Sequence, residues 1–141
     1  ERTEVRLIAF HLDTHSGVPA YLQLVQQVKE ALRLGMLDVG DQLPTVREVV
    51  EQVIINPNTV LKAYRELEHE GLVASRPGQG TFIIRTLAAT SPASLAALRR
   101  SLTRWLQEAH EAGLDNESIL ALFTSTFRTA IQNPVESEGT A

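Results

Sequence analysis

Apolar side chains recur at helical spacing in five stretches of this chain, interrupted once by a pair of strand-like runs. Tyr21, Leu24, Val25, Val28, Ala31 and Leu32 fall on one stripe and predict a helix over Ala20 to Met36. The turn signal Ser16-Gly17-Val18-Pro19 precedes it, and Gly35 and Gly40 punctuate its exit. Val46, Val49, Val50 and Val53 predict a short second helix over Val46 to Val53. Val60, Leu61, Tyr64, Leu67 and, at the far end, Leu72 set a third between Asn56 and Gly71. Leu72 to Arg76 and Thr81 to Arg85, joined by Pro77-Gly78-Gln79-Gly80, read as a β-hairpin. Residues 5–12 are apolar and β-branched but alternate poorly, so they are either a short strand or an extended arm.

The helix ends are marked as clearly as the stripes. Thr45-Val46-Arg47-Glu48 matches the capping box, and Leu43-Pro44 before it holds the chain extended. Asn56 is a good N-cap, Pro57 fits the first helical position, and Gly71 fits the left-handed residue past the end. The third helix then keeps Asn58, Thr59, Lys62, Arg65 and Glu66 off its apolar stripe. Its first turn is small and hydrogen-bonding, and its middle is cationic. A helix whose N-terminal end meets base edges between two phosphate backbones needs that layout. Two short helices joined by Ile54-Ile55 make a helix-turn-helix, and the hairpin, with Arg76 and two glycines at its tip, can bring backbone N–H groups close to a phosphate or the minor groove.

Composition narrows the rest. Hydrophobic residues at 43% and charged residues at 21% describe a soluble globular protein of one core, or a small domain with an appendage. No cysteine is present, which excludes disulfides and thiolate metal sites. No apolar run reaches the roughly 20 residues of a membrane span and no signal-peptide pattern is present, so the expected location is the cytoplasm, with no membrane partner. The net charge of -4 argues against wholesale electrostatic attraction to nucleic acid, but not against a local basic face. His11 and His15 lack a third ligand at useful spacing and read as exposed loop histidines, so no metal and no cofactor is expected. With the four histidines scattered and the serines in turns or caps, no catalytic set converges, and the chain does not read as an enzyme.

The blocks PAYLQLVQQVKEAL, GDQLPTVREVVEQ, NPNTVLKAYRELEHEGLV and SRPGQGTFI, in that order over residues 19–85, resemble the GntR family of bacterial winged-helix regulators. The short remainder resembles the YtrA-like subfamily, which carries a small helical dimerisation tail in place of a large effector-binding domain. The resemblance implies a homodimer that binds a double-stranded DNA operator. Repression is the usual mode, and neighbouring transporter operons are frequent targets. It assigns DNA contacts to Thr45 and Arg47 at the start of the second helix and to Asn56, Pro57, Asn58, Thr59, Lys62 and Arg65 on the third. Arg76, Gly78, Gln79, Gly80 and Thr81 match the wing, while Tyr64 matches a core or phosphate-proximal position. The chain departs from the family pattern at two places. Ile54 stands where the turn usually has glycine, which at positive φ would strain it and so calls for another turn geometry. Pro77 and Gln79 stand where the wing usually carries further basic residues.

The expected organisation is therefore mainly α with a small β-hairpin wing. An arm and winged helix-turn-helix domain spans residues 1–86, a small-residue linker residues 87–92, a helical tail residues 93–134, and a frayed end residues 135–141. In the tail, Leu95, Leu98, Leu102, Trp105, Leu106 and Ala109 stripe a helix from Ala93 to Ala112 closed by Gly113. Asp115 caps the last helix, striped by Ile119, Leu120, Phe123, Phe127, Ala130 and Ile131 and stopped by Asn133-Pro134. Two helices bury such stripes poorly alone. The apolar residues from Leu95 to Phe127 thus either form a two-fold dimer contact or pack on the chain's own winged helix. A pocket between tail and winged helix could hold a small-molecule effector, which no spacing identifies. The rival to DNA binding is a winged helix that serves a protein partner.

Overall fold

The computed structural model describes residues 8–132. Its elements are α1 (Ala20–Arg33), α2 (Val46–Gln52), α3 (Pro57–His69), β1 (Val73–Arg76), β2 (Gly80–Ile83), α4 (Pro92–Glu111) and α5 (Asn116–Gln132). They fall into two compact units, Glu1–Pro92 and Ala93–Ala141. The chain is mainly helical with one antiparallel hairpin, β1 against β2.

In the first unit α3 packs against α1, α2 and β1. Val60, Ala63, Tyr64 and Leu67 form its inner stripe and meet Leu24, Val25, Val28 and Leu32 of α1, Val49 of α2, and Leu72, Val73 and Ile83 around the hairpin. Leu61 was expected on this stripe and is not: it is 40% exposed, and Ala63 takes the place. Positions i, i+3, i+4 and i+7 from Val60 already fill the inner face, and Leu61 stands about 100° around the helix from it. Val50 is likewise exposed.

Two helices are shorter than the pattern predicts. α1 ends at Arg33 rather than Met36, because the Met36 N–H folds back on the Ala31 carbonyl at 2.8 Å, leaving the Met36 side chain exposed. α2 ends at Gln52, with Val53 extended at φ −136°. At the other end of the unit, residues 8–12 form an arm without strand pairing, and residues 5–7 lie outside the described residues. Phe10 buries its side chain, and two glutamines stand in for a strand partner. Gln52 Oε1 accepts the Phe10 N–H at 3.1 Å. Gln27 accepts the His11 N–H at 3.1 Å and donates to the His11 carbonyl at 2.7 Å.

The connector before α2 also pairs. The Leu43 N–H donates to Thr81 O at 2.8 Å, the Ile83 N–H to Asp41 O at 2.8 Å, and the Gly40 N–H to Ile83 O at 2.9 Å. Residues 40–43 thus lie along β2 and give it backbone partners on both sides. Past the hairpin, Leu87 is half-buried against the core, and Pro92 is the first residue of α4.

The second unit hides far less. Ala109 is the one buried residue of α4, and α5 has none. Trp105 meets Phe123 with ring centroids 6.5 Å apart, and Phe123 stacks on Phe127 at 5.9 Å. Asp115 caps α5 by accepting the Ser118 N–H at 2.8 Å. Hydrogen bonds from Ser118, hydroxyl first and amide second, hold that carboxyl below the usual range. The expected stop at Asn133-Pro134 and the end at 135–141 lie outside the described residues. Among the described residues, no helix is long and apolar enough to cross a membrane.

Candidate nucleic-acid interface

The helix-turn-helix is built from its caps. Thr45 Oγ1 accepts the Glu48 N–H at 3.1 Å while Glu48 Oε1 accepts the Thr45 N–H at 2.9 Å, closing the capping box. This sets Arg47 in the exposed first turn of α2. The turn that follows avoids strain at Ile54: among the described residues no non-glycine has a positive φ. Extended backbone instead alternates the side chains, Ile55 toward the core and Ile54 fully out to solvent. Asn56 then caps α3, its Oδ1 accepting the Asn58 N–H at 2.8 Å. Pro57, Asn58, Lys62 and Arg65 are exposed, and Thr59 is half-buried. At the far end Gly71, with φ 78°, lets its own N–H reach Glu68 O and the Leu72 N–H reach Leu67 O. The left-handed turn ends α3 and sends the chain into β1.

Tyr64 fixes α3 against the segment leading into α2. Its buried hydroxyl donates to the Pro44 carbonyl at 2.6 Å. Burial first, and the Glu48 charge second, raise its pKa well above the ordinary phenol value, so it stays a neutral donor. This is the core placement among the alternatives that the resemblance implies. Tyr64→Phe leaves the Pro44 carbonyl unpaired and is expected to destabilise the unit by about 1–3 kcal/mol, read as a lower denaturant midpoint at unchanged slope.

The wing is held from beneath. Val73 pairs with Ile83, Ala74 with Phe82, Ser75 with Thr81 and Arg76 with Gly80. The Gln79 N–H closes the tip on the Arg76 carbonyl at 2.9 Å, with Pro77 and Gly78 at its centre. Gln42 passes under the tip and donates to the Gln79 carbonyl at 2.9 Å. Gly80 has φ 125°, a conformation that side chains strain to adopt, and a Cβ there would push the Gln42 amide aside. Arg76 does not extend free from the wing but stacks its guanidinium over Phe82, 4.6 Å from the ring centroid.

The predicted residues therefore occupy three neighbouring places on one unit. Thr45, Arg65, Gly80 and Thr81 surround a cleft of about 260 Å³ between the start of α2, α3 and the wing. Leu61, misplaced by the apolar pattern, is another wall of this cleft. Asn58 and Lys62 share the exposed face of α3, with Asn56 and Pro57 at its start, and Arg76, Gly78 and Gln79 form the wing tip. Of the residues predicted for dimerisation, Leu98, Leu102, Leu106, Leu120, Phe123 and Phe127 are exposed in the second unit. Leu95, Trp105 and Ile119 are half-buried there. His11 and His15 are exposed, and no metal-binding group occurs among the described residues. Gln42 and Phe82, which shape the wing, lie inside the matching blocks, but the sequence reading gives them no role. Their roles depend on a long-range pairing that spacing does not reveal.

Comparison with known proteins agrees with this geometry. Residues 20–83 match the gntR family of bacterial regulatory proteins. The HTH-type transcriptional repressor YtrA of Bacillus subtilis is 38% identical over 109 residues, which cover 77% of this chain and 84% of that protein. The HTH-type transcriptional regulator YhcF of the same organism is 37% identical over 105 residues, 74% of this chain and 87% of that one. A crystal structure described as a transcriptional antiterminator from Listeria monocytogenes EGD-e superposes with a TM-score of 0.52 at 36% identity, covering 83% of this chain and 88% of its own. These relatives are regulators rather than enzymes, in line with the absence of a convergent catalytic set in the sequence. With the capped α3 and the wing in place, the chain belongs to the gntR family and is a DNA-binding transcription regulator with a winged helix-turn-helix.

Proposed function

We propose that the chain acts in the cytoplasm as a homodimeric repressor of a near-palindromic double-stranded DNA operator. α3 enters the major groove, and the wing lies on the flanking backbone or minor groove. The observation that carries this reading is the outer face of α3. Asn58, Lys62 and Arg65 are spaced i, i+4 and i+7 on one exposed stripe that starts at the Asn56 cap. Asparagine at the helix start suits adenine in the major groove, and arginine suits guanine or phosphate. Arg47 and Arg76 flank the stripe from α2 and the wing tip. Dimerisation through the tail is supported by the apolar side chains that α4 and α5 leave exposed.

The test is selection of bound duplexes from a randomised library at two salt concentrations. An enriched inverted repeat, bound less tightly as salt rises, is the expected result. Weak uniform binding without enrichment would overturn the operator reading and leave the winged helix to a protein partner.

A further inference from the structure

Two tyrosines, Tyr64 within α3 and Tyr21 on α1, use their hydroxyls differently. Tyr64 gives its hydroxyl to the Pro44 carbonyl. Tyr21, in the first turn of α1, packs its ring half-buried against the core. Its hydroxyl makes no hydrogen bond to any described residue. The face of that ring carries Lys62, with Nζ 4.1 Å from the centroid.

Lys62 is exposed on the same face of α3 as Asn58 and Arg65. A surface lysine ordinarily spreads over many rotamers, and ordering it on binding is unfavourable. Here a ring fixed by packing holds the ammonium by cation–π attraction, and the ammonium keeps donors for a second partner. The arrangement sets a cation and an unspent hydroxyl donor side by side next to the stripe that faces the groove. One tetrahedral anion can accept from both.

We propose that Tyr21 and Lys62 form a composite phosphate-binding pair, in which the ring positions the ammonium and the hydroxyl donates to the same DNA backbone phosphate. The proposal rests on α3 being the groove helix. It extends the DNA footprint onto α1, whereas Leu61 and Arg65 face the cleft beside the wing.

The experiment uses the full chain and a random-sequence duplex, because a phosphate contact does not depend on sequence. Affinity is measured across a salt series for the wild type, Tyr21→Phe, Tyr21→Leu, Lys62→Ala and the Tyr21→Leu/Lys62→Ala pair. Lys62→Ala is expected to lower the salt slope by about one. Tyr21→Phe keeps the ring and is expected to lose roughly two- to tenfold in affinity at unchanged slope, since a neutral donor releases no counterion. Tyr21→Leu removes hydroxyl and hold together, so its slope flattens, and its effect shrinks when Lys62 is already alanine.

Wild-type affinity in Tyr21→Phe overturns the shared phosphate. Strictly additive losses for Tyr21→Leu and Lys62→Ala overturn the positioning role. So does a Tyr21→Leu protein that melts earlier yet binds with the wild-type slope, because the ring is then only structural. A wild type that shows no salt-dependent binding overturns the groove-helix reading itself, and the pair with it.

Discussion

Replacing Arg47 and Arg65 together by alanine is expected to weaken operator binding by about 2–6 kcal/mol, taking about 1–3 kcal/mol for each arginine that contacts DNA. Both side chains are exposed, one in the first turn of α2 and one in the middle of α3. Neither takes part in an ion pair among the described residues, so neither holds the fold together. Alanine is also at least as good a helix former as arginine, and surface changes of this kind shift stability by about 0.5 kcal/mol or less. The double variant should therefore melt like the wild type while its binding collapses. The salt dependence tells the two contacts apart. An arginine on a phosphate removes about one unit from the salt slope and weakens all duplexes alike, whereas one on a guanine relaxes preference at a single position. Titration against the selected duplex and against one scrambled duplex, each at two salt concentrations, reads both. Unchanged affinity in the double variant would remove α2 and α3 from the interface.

What the sequence made legible here is local. Thr45 with Glu48, Asn56 with Pro57, and Gly71 each act within one helical turn, and each stands in the structure as the spacing predicts. The inner stripe of α3 departs from the apolar pattern at one position, for a local reason of another kind. Leu61 is more apolar than Ala63, and hydrophobicity alone ranks it first. Helix geometry ranks it second, because Val60, Tyr64 and Leu67 fix the inner face and Ala63 lies nearer to it. Leu61 thereby lines the cleft beside Arg65 and Thr81 instead of the core.

The features that escaped sequence reading are all tertiary. Nothing in Gly40 to Leu43 announces that these residues pair with β2, because four residues ending before a proline look like any connector. Gln42 supports the wing only once that pairing is made. Gln27 and Gln52 anchor the arm through contacts 16 and 42 residues apart in sequence. The stacking of Lys62 on Tyr21 and of Arg76 on Phe82 belongs to the same class. Arg76 on Phe82 also bears on the weakly basic wing. With Pro77 and Gln79 beside it, Arg76 is held by the Phe82 ring and presents its charge in a defined place.

On the proposed homodimer, changing Phe123 and Phe127 to alanine in the full chain is expected to yield monomers. Phe123 touches Trp105 across the two tail helices and stacks on Phe127 with the rings 8° from parallel. Yet the two residues remain 42% and 54% exposed. Stacked rings left half in water are surface that a second copy can cover, and a two-fold contact counts each ring twice. Full burial of a phenylalanine is worth about 1.5–3 kcal/mol, and half of that for each of four rings gives about 3–6 kcal/mol per dimer. At 1.4 kcal/mol per decade, the dimer dissociation constant should rise roughly a hundred- to ten-thousandfold. Sedimentation at concentrations where the wild type is dimeric reads the change, and circular dichroism checks that the helices persist. The winged helix is a separate compact unit and should survive the substitution. The monomer should then bind one half-site with the wild-type salt slope per half-site, while losing the gain that comes from engaging both halves at once. A variant that still sediments as a dimer would place the contact elsewhere. The exposed face of α4 and α5 would then belong to a different partner.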